Sequence, residues 1–425
     1  KWAAAAALVA PRAYLVLTGA EVATQRAYVM TAIVLIGVML DRAALTMRTL
    51  AVAAAAVLIV SPEAVVHPSF QMSFAATLAL VAVYERGLPI LNAAAKSPLA
   101  ARIALWGGRE VASLIVASLV AGAATTLFAA YHFHRLAPYG LIANLLAMPV
   151  VSCWVMPLGL LGLLAMPFGF DEIAWRLMGL GVDWMTGVAG WVASLPGAVG
   201  HVKAFGSGPL IIATAGFLAL CMLRSPLRFG GVGVLLIGIG LASRTPRPDV
   251  LVAPGAEAVA VRTATGRLAI LKVGSDGFAI REWLAADGDP RNAGDPGLRE
   301  GFACDGEGCV ATMADGTRIA VSMSAAAVVE DCAAATLVVT RRARPPDCKA
   351  EIIDRERAAE NGALALIRAG DAWHAEAGRP PTEVRPWTRP QDQPSARRPA
   401  ARPGASSAAT APDATPAVDA LAADD

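Results

Sequence analysis

Apolar residues fall in long blocks between residues 2 and 243 and in short, strand-like runs beyond them. Long blocks suit helices in a bilayer, where about 20 residues cross the hydrocarbon core. Segments 2–20, 23–40, 49–62, 69–84, 111–130, 138–168, 173–195, 208–223 and 228–243 are predicted to span. Several are short and need flanking residues or thinner lipid. Segment 138–168 is long and carries Pro149, Pro157 and Pro167. Proline removes a backbone donor, so Pro149 and Pro157 predict a helix break: a kinked packing helix, a tight hairpin or a functional interruption. The glycines of FGGVGVLLIGIG lie inside an apolar helix and predict close helix packing.

From Arg244 the pattern shortens. DVLVA, AVAVRTATGRLAILK, VATMADGTRIAVS and ATLVVTR read as strands, and Asp315-Gly316 reads as a hairpin turn. FAIREWLAADG and IDRERAAENG read as short amphipathic helices, the second stopped by Gly362. The predicted fold is mainly α: a polytopic helical membrane domain over 1–243, then a small soluble α+β domain over 244–378. A Pro/Ala/Arg-rich tail over 379–425 cannot bury a core and is expected to be disordered.

Composition agrees. The chain is 56% hydrophobic and only 16% charged, and its mean hydropathy of +0.53 excludes a wholly soluble protein. It begins at Lys1-Trp2 with no basic leader and no cleavage site, which reads as a start inside a longer protein rather than a signal peptide. If the region after 243 lies outside, the inside connections hold Arg42, Arg48, Arg86, Lys96, Arg102, Arg109 and Arg224. The outside ones hold Arg135 and Lys203. That bias fits the positive-inside rule and predicts an exported C-terminal domain.

Cys304, Cys309, Cys332 and Cys348 all fall in that domain. Four cysteines allow three pairings; an exported domain favours disulfides Cys304–Cys309 and Cys332–Cys348, with four free buried thiols as the alternative. The CDGEGC spacing does not complete a zinc set. His132-Phe133-His134 has a metal-like spacing but no further ligands, so an interfacial loop is expected there. No nucleophile elbow, phosphate loop or dinucleotide fingerprint occurs. No catalytic residue, metal or cofactor is expected.

The stretch SPEAVVHPSFQMSFAATLAL, residues 61–80, is more polar than a lipid anchor needs. Ser69, Ser73 and Thr77 recur every fourth residue and share a helix face, with Gln71 on another. They serve either a polar path or close helix packing. Gln71 and Asn144 are amides at membrane depth and are expected to face the protein interior, near any conducting route. Arg26, Arg135 and Lys203 are expected to meet phosphates or lipid headgroups.

VHPSFQMSFAATLALVAVYE resembles a segment typical of the ComEC family, the inner-membrane DNA-uptake channels of bacterial natural transformation. LTGAEVATQRAYVMTAIVLIGVMLDR is similar to the helix pair before it, and TTLFAAYHFHRLAPYGLIANLLAMPVVS to a later motif of that family. ATLVVTRRARPPDCKAEIIDRERAAENGALAL is loosely similar to the end of its metallo-β-lactamase-like domain.

The resemblance implies a single-stranded DNA channel in the inner membrane, multi-pass, with a periplasmic C-terminal domain. Implied partners are single-stranded DNA, membrane lipid, a periplasmic DNA-receptor protein, a cytoplasmic helicase or single-strand binder, and a second copy of the chain. The family's nuclease requires a His-x-His-x-Asp-His cluster, but His374 is the sole histidine of the soluble region. That domain is therefore expected to be degenerate and inactive. A small-solute permease and a membrane-anchored lactamase-fold hydrolase are the competing readings.

Overall fold

The computed structural model describes residues 2–19, 22–40, 46–86, 99–274, 277–370 and 372–379. The tail after residue 379, Arg42, Lys96, and the side chains of Arg26, Arg102 and Arg109 lie outside the described residues.

Helices α1 (Trp2–Leu17) and α2 (Val22–Met39) lead into α3 (Met47–Val60), which begins at a reciprocal cap between Thr46 and Thr49. A 3-10 turn, Pro62–Val66, separates α3 from α4 (Pro68–Glu85). Pro62 and Pro68 each stand at the first turn of a helical element, where a missing N–H costs nothing. The prolines of the polar stretch are thus helix starts.

Helix α4 is the pivot of this half. Its Phe70 and Phe74 pack on Leu50, Ala53 and Val57 of α3. Its Ala75, Ala79 and Ala82 meet Ala124 and Phe128 of α5 (Leu99–Phe133), and Leu210 and Cys221 of α9 (Ser207–Met222). At the far end of α4, Glu85 accepts the Met47 N–H at 3.0 Å and sits 3.7 Å from Arg224. Arg86 donates to the carbonyls of Leu220, Cys221 and Leu223, capping the negative end of α9. Helix α10 (Arg228–Ala242) lies against α9 at glycine contacts, as its sequence predicts. A methyl group on Gly216 would lie 2.4 Å from the Leu235 nitrogen, and one on Gly238 would lie 2.6 Å from the Ala213 nitrogen.

Among the described residues two helical stretches, Val111–Phe133 and Gly140–Phe168, are long and apolar enough to cross a membrane. Trp2–Leu17, Ala27–Met39, Met47–Val60, Ser207–Met222 and Arg228–Ala242 are apolar but shorter. A helix of 16 residues rises about 24 Å, less than the roughly 30 Å of hydrocarbon. Length and composition therefore support fewer crossings than the apolar blocks predict.

At the predicted break the chain stays helical: α6 (Gly140–Val150) and α7 (Met156–Ala165) join through a π-helical turn at Val151–Val155, which excludes a hairpin there. The wide turn lies between Pro149 and Pro157 and absorbs the backbone bonds they cannot make. Helix α8 (Asp171–Ser194) returns along α6 and α7. Trp175 fills the space over Gly162, Trp154 and Val155 fill that over Gly181, and Trp154 Nε1 donates to the Leu177 carbonyl at 2.7 Å.

The second domain holds two five-stranded sheets. One has the order β12 (Ala372–Ala377), β11 (Leu364–Ala369), β3 (Val250–Val252), β4 (Ala258–Arg262), β5 (Leu268–Lys272), all antiparallel. The other runs β10 (Glu351–Ile353), β9 (Leu337–Thr340), β8 (Arg318–Ser322), β7 (Gly308–Thr312), β6 (Phe302–Cys304). In it β8, β9 and β10 are parallel. Helix α12 (Ala325–Ala334) makes the β8–β9 crossover that a parallel pair requires.

Alternate residues explain the layering. Val250, Val252, Val259 and Val261 face Ile319, Val321, Leu337 and Val339 between the sheets. On the outer face of the first sheet, Ala258, Ala260 and Ile270 meet Ile280, Trp283 and Leu284 of α11 (Phe278–Asp287). On the outer face of the second, Ala320, Val338 and Ile352 meet Val328 and Cys332 of α12. The result is four layers, helix–sheet–sheet–helix. With both sheet faces covered, the strands read as unbroken apolar runs.

The Asp315-Gly316 hairpin joins β7 to β8 with Gly316 at φ +82°. Helix α13 (Arg355–Asn361) ends at Gly362. Cys304 pairs with Cys309 across β6–β7, their Cα atoms 4.0 Å apart, and Cys332 pairs with Cys348.

Candidate functional site

Helices α4 and α5 bring their polar residues together at the end opposite Arg86. Gln71, on the first turn of α4, donates from Nε2 to the Val65 carbonyl at 3.0 Å. Its Oε1 lies 2.8 Å from His132 Nε2, near the end of α5. An amide oxygen only accepts, so the His132 ring carries its proton on Nε2. His67 and His134 lie within electrostatic reach of that ring. Gln71 is half-buried and fixed from two sides, facing the helix bundle as its amide chemistry requires.

Below this pair a cavity of about 600 Å³ opens between α3, α4, α5 and α9. Phe70, Phe74, Phe128 and Leu210 supply much of its wall, while Gln71 and Thr214 bring polar side chains. Thr77 donates to the Ser73 carbonyl of its own helix at 2.9 Å. That bond satisfies the hydroxyl locally and bends no polar group toward a path. Ser69 and Ser73 are half-buried on the same helix.

Just past His132 the chain forms β1 (Arg135–Leu136), paired with β2 (Gly200–His201). Arg135 and His201 are register partners, and Lys203 follows two residues on, so three basic groups collect on one short ribbon. Arg135 and Lys203 are both exposed. The ribbon touches the second domain: Ala204 N–H donates to the Ala286 carbonyl at 2.7 Å, and Gly288, at φ +71°, packs beside Lys203. Tyr131 stacks edge-on to Phe205 beneath it, ring centroids 5.5 Å apart.

Asn144 is not part of this assembly. It is exposed on α6, which corrects the expectation that it faces inward. Helix α6 packs on α8 through Trp184, whose Nε1 donates to the Leu146 carbonyl at 3.3 Å, and Asn144 falls outside that seam. Arg26 lies on α2, away in sequence from the ribbon, and its side chain is outside the described residues. Pro149 and Pro157 stand in α6 and α7 on either side of the π-turn. His374 is exposed on the edge strand β12. Among the described residues no three His, Cys, Asp or Glu side chains converge to hold a metal.

His132, His201 and Thr214 are the site residues that the sequence did not assign. His132 stood out through its His-x-His spacing, but its partner lies 61 residues upstream and no local pattern reveals that.

A family model described as "Competence protein" matches residues 1–227. Neither a curated protein nor a solved structure matches the chain.

Proposed function

Because the chain belongs to the Competence protein family, whose role is DNA uptake for competence, we propose that its helical domain passes single-stranded DNA into the cytoplasm across the bacterial inner membrane. The observation that carries this reading is the Gln71–His132 bond beside a cavity that Gln71 lines, within the family-matched region. A neutral amide and an imidazole offer hydrogen bonds to phosphates or bases without fixing a charge in the bilayer. The basic ribbon of Arg135, His201 and Lys203 lies at the same end and would meet a strand first.

The cavity walls are apolar, so a phosphate does not cross it in this arrangement. In the proposed mechanism the conduit is shut at Gln71–His132 and opens when those groups exchange each other for the strand. Weak contacts of this kind allow release as well as entry. Arg86 and Arg224, at the opposite end of α4, support the inside orientation of that end. The two disulfides support a periplasmic second domain. A periplasmic DNA receptor would hand the strand over, and a cytoplasmic helicase or single-strand binder would draw it in. More than one copy of the chain would supply further crossings.

The second domain is proposed to be non-catalytic. Its described residues offer no cluster able to hold a metal and polarise water. The purified full chain with Mn²⁺ or Zn²⁺ is expected to leave single- and double-stranded DNA intact. Cleavage abolished by chelation would refute this.

The apolar wall of the cavity favours one rival, a permease for a small apolar or amphipathic solute. Deleting the protein separates the two. DNA that still enters the periplasm but no longer reaches the cytoplasm supports the conduit; unchanged DNA arrival with altered solute uptake supports the permease.

A further inference from the structure

Strands β8 and β9 run parallel and end in register at Ser322 and Thr340. Both side chains are buried. Ser322 Oγ donates to Asp331 Oδ2 at 2.6 Å, and Thr340 Oγ1 donates to the Ser322 carbonyl at 3.0 Å. Thr340 Oγ1 also accepts the Arg342 N–H at 3.1 Å, which fixes how the chain leaves the strand. Beyond these two ends a pocket of about 360 Å³ opens, lined also by Ala256, in the turn between β3 and β4, and by Val273, just past β5. In open α/β sheets, the crevice past the carboxyl ends of parallel strands is where ligands bind. The volume falls within the roughly 300–1,000 Å³ of small-molecule sites.

Among the described residues that line this pocket the charges are of one sign, with the Asp331 carboxylate held behind Ser322. Arg341, Arg342 and Arg355 line it, and no carboxylate is among the lining residues. Elsewhere in the domain arginines hold acids: Arg262 lies 2.8 Å from Asp287, Arg291 2.6 Å from Asp289, and Arg368 2.6 Å from Asp315. Arg341, Arg342 and Arg355 form no ion pair among the described residues. Arg342 is steadied by its Nε, which donates to the Met323 carbonyl at 3.2 Å and leaves its terminal nitrogens available. Three guanidinium groups at one mouth exceed what a single carboxylate can satisfy. A tetrahedral oxyanion with several acceptor oxygens matches them, each group donating in a planar fork.

We infer that this pocket binds a phosphate group, carried by a free nucleotide or by the end of a nucleic-acid strand. The site needs no metal and lies outside residues 1–227, so it stands apart from the conduit and survives that reading's failure.

The test is calorimetric titration of the full chain in detergent with inorganic phosphate, deoxyadenosine monophosphate and a 5′-phosphorylated oligothymidylate. The triple variant R341Q/R342Q/R355Q is compared with R299Q, an exposed arginine outside the pocket. Each lost charge-assisted contact is expected to weaken binding about tenfold, with R299Q binding as the parent does. If only phosphate and mononucleotide binding fall in the triple variant, the ligand is a free phosphate compound. If oligothymidylate binding falls with them, it is a strand end. Parent-like binding by the triple variant, an equal loss in R299Q, or no binding of any probe to the parent chain overturns the proposal. Melting curves of the variants guard against misfolding, and the three exposed side chains make such an effect small.

Discussion

Gln71 shows how one residue acquires meaning only from its neighbours. Its amide uses one donor on Val65 and its oxygen on His132, so the polar stretch around it is a bonded junction rather than a loose polar stripe. Asp315 offers a simpler test at the same scale. Thr317 donates to its carboxylate and Arg368 lies against it, holding the group down at about 2, below the usual carboxylate value. A depressed pKa gives stability that is complete above the ordinary value and lost as pH falls through the folded one. Asp315→Asn keeps the turn geometry and removes the charge. Its melting temperature is expected to lie below the parent's near neutrality and to converge with it between about pH 4 and pH 2. A constant gap across that window would show that the carboxylate charge, held by Thr317 and Arg368, contributes nothing.

Among the elements, the α9–α10 pair makes the sharpest demand on sequence. Gly216 faces the α10 backbone, and backbone cannot move aside as a flexible side chain does. Gly216→Val is expected to cost about 1–3 kcal/mol and to lower the amount of intact protein in the membrane. Normal levels and melting would mean that the helices separate at no cost. The α10 side of this contact, Gly231 and Gly238, was legible in the sequence, because glycines within an apolar helix have few other uses. So were the β7–β8 hairpin at Asp315-Gly316 and the stop of α13 at Gly362, since turn chemistry is local. Strands β6, β10, β11 and β12 were not. They are short or alanine-rich, and β12 pairs an exposed face with β11, so burial leaves little pattern on it. The π-turn was hidden for another reason: proline spacing marks where bonds are missing, not how the helix regains its path.

At the scale of the whole molecule, two halves meet at a narrow place. The ribbon of β1 and β2 carries the basic groups, touches α11 through Ala204 and Gly288, and adjoins the Gln71–His132 pair. None of this was written in local sequence, because it joins residues near 70, 132, 201 and 287. The proposed orientation puts that junction in the periplasm. A reporter active only in the periplasm, fused after Arg244, is expected to be on; activity of a cytoplasm-only reporter at the same point would invert the topology.

The central claim is that the Gln71–His132 junction controls DNA passage, and compartment-resolved uptake tests it most directly. Labelled DNA is followed into the periplasm and then into the cytoplasm in cells carrying Gln71→Leu, His132→Leu, or Asn144→Leu as the exposed-site control. Normal periplasmic uptake and normal protein levels are expected in all three. Cytoplasmic arrival should fall about tenfold, equivalent to roughly 1.4 kcal/mol in barrier, in the first two and stay unchanged in the third. Parent-level arrival in Gln71→Leu and His132→Leu, with the protein intact in the membrane, would contradict it.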